Sequence, residues 1–131
     1  MSGQKGFTLL EVMIAVFLLA VAIMGTASLT TSVIKGNSSS QTLTTATTLA
    51  KDKMEELKAT SYSALPTGST WVTDYATSNG TVRSSSTGAY YRREWKGDVT
   101  GTAPNTINQI TVAVTWPTNR TVQLKTIRAS D

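Results

Sequence analysis

The sequence predicts an α+β fold in which a long N-terminal α-helix, first membrane-spanning and then amphipathic, packs against a small antiparallel β-sheet. Three observations carry this prediction. Residues 12–24 are thirteen apolar residues without a break, and with their flanks they reach bilayer-spanning length. No Pro occurs before Pro66, and Leu43, Ala46, Ala50, Met54 and Leu57 recur at the 3-4-4-3 spacing of one helix face. Near the C-terminus Ile110, Val112, Val114 and Trp116 alternate with other residues ahead of a turn, the period of a strand. The chain therefore divides into a short basic segment (1–6), an apolar helix (7–30), its amphipathic continuation (31–58) and a small β-sheet head (59–131).

The apolar segment admits three readings. A secretory signal peptide has an apolar core and is removed downstream, but here Glu11 stands against the apolar run and Gly25-Thr26-Ala27 is a poor cleavage site. A plain membrane anchor would let Glu11 reach the interface. In the third reading Glu11 is functional. A charge at membrane depth costs about 2.5–3.5 kcal/mol on insertion scales, so it needs a partner. Cleavage after Gly6 would provide one: Phe7 would become the N-terminus, with a positive amine four residues before Glu11, on the same face of a helix. The same amine could reach Glu11 of a neighbouring subunit. In a low-dielectric helical bundle that pair would offset both charge penalties and fix the axial register between subunits.

The stretch Lys5-Gly6-Phe7-Thr8-Leu9-Leu10-Glu11-Val12 resembles the class III signal of type IV pilins and type II secretion pseudopilins. The resemblance implies a leader that is basic at Lys5 and cut between Gly6 and Phe7 by a prepilin peptidase. It also implies N-methylation of Phe7 and a role for Glu11 in ordered assembly. The implied partners are that peptidase, a major pilin and other minor pilins, and an inner-membrane assembly platform. The implied location is a single inner-membrane pass with the head in the periplasm, followed by a surface pilus or a periplasmic pseudopilus. The resemblance is near-complete over residues 1–30, moderate over 31–58 and loose beyond.

The second half of the helix sets its apolar stripe opposite Lys51, Asp52, Lys53, Glu55 and Lys58, with Lys51 and Glu55 at i,i+4 spacing. Gly36-Asn37-Ser38-Ser39-Ser40 are poor helix formers, which reads as a bend, a locally melted region or a weak stretch held by packing. Helical throughout, residues 7–58 would run about 78 Å. Residues 46–58 also resemble the corresponding stretch of PilV-type minor pilins and small pseudopilins.

From Thr60 the chain turns rich in Ser, Thr, Gly and Tyr. Ser69–Tyr75 is a possible first strand, 76–88 a polar loop or loose hairpin tip, and 89–99 a second strand. Ile110–Trp116 and Val122–Thr126 form an antiparallel hairpin about Pro117-Thr-Asn-Arg120. Three or four strands packed on the helix would bury both apolar faces. A head of about 70 residues is too small to supply its own core, so much of that core must come from the helix.

Composition narrows the function. The 131 residues include 38 Ser and Thr, no Cys and no His, which removes disulfides and His- or Cys-based chemistry. No cofactor, metal site or enzymatic activity is expected. The net charge of +4 is mild and spread along the chain, too weak by itself to argue for nucleic acid, which is not an expected partner. One patch is still a candidate for binding: Tyr90, Tyr91, Arg92, Arg93, Trp95 and Lys96 interleave aromatic and basic residues, as single-strand binders do. The competing reading is a strand with apolar residues facing the core and charges facing water, diluted by Glu94 and Asp98. The favoured function is a minor pilin that primes assembly or sits near the filament tip. A secretion pseudopilin and a DNA- or surface-binding pilin are the alternatives.

Overall fold

The computed structural model describes residues 6–102 and 105–130. The chain divides into two compact units, one ending at Ser39 and the other running from Ser40 to the C-terminus. Helix α1 (Leu9–Ala59) is unbroken across the Gly36–Ser40 stretch, where every residue is exposed. Packing is therefore not what keeps that stretch helical. The hydroxyls that crowd this part of the sequence are spent on the helix itself. Thr30, Thr31 and Ser32 bond the carbonyls four residues back at 3.0–3.1 Å, and Thr44, Thr45 and Thr47 do the same at 2.8–3.1 Å. Such back-bonding occupies the polar groups that would otherwise compete with the helix.

In the first unit α1 stands without a core. Its apolar side chains, from Leu9 through Ile34, are half to four-fifths exposed. It is the one helix among the described residues long and apolar enough to cross a membrane by length and composition.

The second unit holds the head. Its sheet has five strands, β1 (Val72–Ala76), β2 (Val82–Arg83), β3 (Tyr91–Thr102), β4 (Asn105–Trp116) and β5 (Arg120–Ala129). All pairings are antiparallel, in the order β2-β1-β3-β4-β5. This is one strand more than expected, because two residues of the presumed loop, Val82 and Arg83, pair with Ala76 and Tyr75. A short helical turn (Tyr62–Ala64) leads from α1 towards the sheet.

Ala46, Leu49, Ala50, Met54 and Leu57 of the helix meet Ile110, Val112, Val114 and Trp116 of the central strand, with Ala76 and Tyr91 beside them. Leu43, expected in the stripe, is 49% exposed, one turn before the sheet begins to cover the helix. Lys53, expected on the solvated face, is buried. Its ammonium lies 3.9 Å from the centre of the Trp95 ring and 2.7 Å from Glu56, so the stem fills core space while the charge keeps two partners. Glu55 pairs with Lys58 at 3.0 Å rather than with Lys51.

Two devices fix the helix end to the sheet. Arg128 of β5 donates to the carbonyls of Lys58 and Thr60, satisfying acceptors that every helix C-terminus leaves open. The segment after α1 crosses the sheet at Gly97, where a Cβ would stand 1.9 Å from the Pro66 carbonyl oxygen. Buried Asn108 donates to that same carbonyl at 3.0 Å. Only glycine permits the crossing.

Candidate functional site

The expected assembly site begins before α1. Gly6 and Phe7 are exposed and precede the helix; Lys5 lies outside the described residues. Phe7 is thus not helical, contrary to the single-helix expectation for Phe7 and Glu11. The reason is Thr8, which occupies the N-cap. Its hydroxyl accepts the Glu11 N–H at 3.3 Å, and its carbonyl accepts the N–H groups of Glu11 and Val12 at 3.1 and 3.3 Å. Thr8-Leu9-Leu10-Glu11 has the S/T-x-x-E spacing of a capping box, a local signal that places the helix start after Thr8 and not at Phe7. Phe7 still shares a face with Glu11. Together with Val12, Ala15, Val16 and Leu19 they line one groove along the helix.

Glu11 sits in the first turn of α1, where the helix dipole favours a carboxylate. This local term eases the charge but does not remove the cost of placing it among apolar surroundings. Beyond Glu11 the next charged residue is Lys35, 24 positions on. At 1.5 Å per residue that interval is about 36 Å, against a hydrocarbon thickness of about 30 Å. Two charges therefore bracket one bilayer-length apolar rod whose side chains touch nothing else in their own unit.

The head patch is not one surface. Pairing along β3 sends Tyr91, Arg93 and Trp95 towards the helix and Arg92, Glu94, Lys96 and Asp98 to the opposite face. Tyr91 is 2% exposed, donates its hydroxyl to the Thr42 carbonyl at 3.2 Å, and is pushed above the ordinary phenol value by burial. Arg93 is 5% exposed and makes a two-pronged pair with Asp74 at 2.8 and 2.6 Å, plus a bond to the Leu49 carbonyl at 3.3 Å. On the outer face Arg92 pairs with Glu94 at 3.2 Å and Lys96 with Asp98 at 2.8 Å. Lys96 and a hydrogen bond from Ser69 hold the Asp98 carboxyl below its ordinary value. The six residues are thus divided between a core face and a face of alternating charge. Among the described residues there is no group of three His, Cys, Asp or Glu placed to hold a metal ion.

Comparison with known proteins bears on the N-terminal site alone. No curated protein and no solved structure matches the chain. Residues 1–27 match the family model of the prokaryotic N-terminal methylation motif. That motif is type IV prepilin-like, and the match spans Gly6, Phe7, Glu11 and most of the apolar run, supporting a subunit of the pilin and pseudopilin kind that is processed at its N-terminus.

Proposed function

We propose that this chain is a structural subunit of a type IV pilus, cut by a prepilin peptidase between Gly6 and Phe7 and methylated on Phe7. It inserts in the inner membrane by one pass with its head in the periplasm, then packs α1 into the filament among other pilins. The observation that carries this reading is Glu11. It is the sole charge between Lys5 and Lys35, five positions after the cleavage glycine, on a helix whose apolar surface lies open in its own unit. After cleavage the Phe7 amine and Glu11 of adjacent subunits form the register-setting pair.

Within that class we favour a minor pilin of the PilV type, acting in assembly priming or near the tip. The compact head and the likeness of residues 46–58 support this; Glu11 is shared by every subunit that stacks above another and does not choose among them. The chain is a scaffold element and no enzymatic step is assigned to it.

The test is co-expression of the full chain with a prepilin peptidase, followed by intact mass measurement. Loss of residues 1–6 with one added methyl group on Phe7 is the expected result. An uncut chain, or a cut near Ala27, overturns the proposal.

A further inference from the structure

The strand register assembles a cluster that the linear sequence conceals. On the face of the sheet turned away from α1, Arg83 pairs with Tyr75, Tyr75 with Arg92, and Arg92 with Thr115. Residues directly opposite on antiparallel strands share a face and lie within side-chain reach. One cross-strand row therefore reads Arg83-Tyr75-Arg92-Thr115, with an aromatic ring between two guanidinium side chains. Arg83 is exposed and has no ion pair among the described residues. Arg92 has one, with Glu94.

Along the Tyr75-Arg92-Thr115 part of this row, and not at Arg83, the surface sinks into a hollow of about 290 Å³. Tyr75, Ser86, Tyr90, Arg92, Thr115 and Pro117 are among the residues that line it. Tyr90 is 37% exposed and is braced edge-on against buried Tyr91, with ring centres 4.9 Å apart. Its ring is therefore available without being loose. The hollow falls just below the usual range for small-molecule sites, which suits one or two sugar rings. Aromatic faces accept the apolar C–H surface of a pyranose while their hydroxyls stay wet. Guanidinium groups bind carboxylates in a planar fork.

We propose that this hollow binds a carboxylated sugar residue of a surface polysaccharide, with Arg92 of the lining on the carboxylate, Tyr75 and Tyr90 against the ring, and Arg83 reaching the carboxylate from outside the lining, across Tyr75. The face itself favours a single anionic group over a nucleic acid strand. A strand of phosphates needs a continuous positive track, and here Arg92 and Lys96 are each answered by an acid, Glu94 and Asp98. The proposal does not depend on the filament reading, since every residue it uses is in the head.

The experiment titrates the detergent-solubilised full chain with tri-galacturonate and 3′-sialyllactose, with neutral lactose and a ten-nucleotide oligothymidylate as controls. The readout is heteronuclear NMR, with Trp116, which also lines the hollow, as a fluorescence reporter. Saturable binding of at least one acidic sugar is expected, about tenfold or more tighter than lactose, since losing one charge-assisted pair costs roughly that factor. Arg83→Gln and Arg92→Gln should each weaken it, and Tyr90→Ala should weaken acidic and neutral sugars alike. These side chains lie outside the core cluster, and unchanged dispersion of the head amide signals verifies folding in each variant. No saturable binding of either acidic sugar, equal binding of lactose, or tighter binding of the oligonucleotide overturns the proposal.

Discussion

The two units of this chain treat apolar residues in opposite ways. Up to Ser39 nearly all the large apolar side chains are exposed and the backbone is held by its own helix bonds. From Ser40 on, a similar stock of Leu, Val, Ile and aromatic residues is buried between helix and sheet. An apolar helix surface left exposed adds nothing to folding until it is covered, and its burial is deferred to whatever surrounds it. A core residue contributes directly, about 25 cal/mol for each Å² removed from water. Substitutions in the first unit should therefore change insertion and assembly, while substitutions in the second should change folding. Because Trp71, Trp95 and Trp116 all lie in the second unit, tryptophan fluorescence reports on the head alone.

The largest expected contrast is between two residues of similar chemistry and similar helical setting. Leu49→Ala should lower head stability by about 2–5 kcal/mol, the usual cost of emptying a leucine site in a core, whereas Leu19→Ala should leave the urea midpoint of the tryptophan signal unchanged. Arg93→Ala belongs at the same end of the scale. It strands Asp74 and the Leu49 carbonyl, and breaking such a buried pair costs about 3–5 kcal/mol; equal midpoints for Arg93→Ala and wild type would refute that assignment.

Of intermediate size is Lys53→Ala, which removes the ammonium over Trp95 and the stem beneath it. A loss of about 1–2 kcal/mol follows from the ring contact and the lost packing, and the Trp95 emission should shift with it. In the first unit Thr8→Ala should cost about 1 kcal/mol at the helix N-terminus. It should be visible as faster amide exchange at Glu11 and Val12, with no change in the head.

The smallest effects are in pH. Tyr91 has its phenol value raised by burial, so its contribution is complete below the unfolded value of about 10 and is lost as pH rises through the higher folded value. Tyr91→Phe should remove that alkaline limb of the stability curve. Asp98 has its carboxyl value lowered by Lys96 and Ser69. Its contribution is present above the ordinary carboxylate range and is lost as pH falls through the folded value. The group is half-buried at the sheet surface and still reached by solvent, so Asp98→Asn should flatten the acid limb only slightly.

What the sequence disclosed follows the same division. The apolar run, the unbroken helix path and the β4–β5 hairpin were legible because each is a long periodic signal of one element. Lys53 and Arg93 were misplaced because charge was taken as a sign of exposure. Lys53 in fact falls seven residues after Ala46, on the core stripe, and Arg93 alternates in phase with Tyr91. Arg83 and Tyr75 could not be joined to Arg92 from sequence, since only strand register brings together residues 8 to 17 positions apart. The crossing at Gly97 was hidden for the same reason: nothing local to a glycine says that another backbone passes over it. At the N-terminus the motif at residues 1–27 was legible because its residues stand at fixed short spacings, whereas the cap at Thr8 went unread.

The central claim is that Glu11 serves contacts between chains and not the fold of its own. The direct measurement is the amount of Glu11→Ala subunit recovered in sheared filaments from cells carrying the complete assembly machinery, set against the urea midpoint of the same variant. The variant is expected to be cut and inserted normally, to keep the wild-type head midpoint, and to be lost from filaments. Incorporation at the wild-type level would contradict that claim.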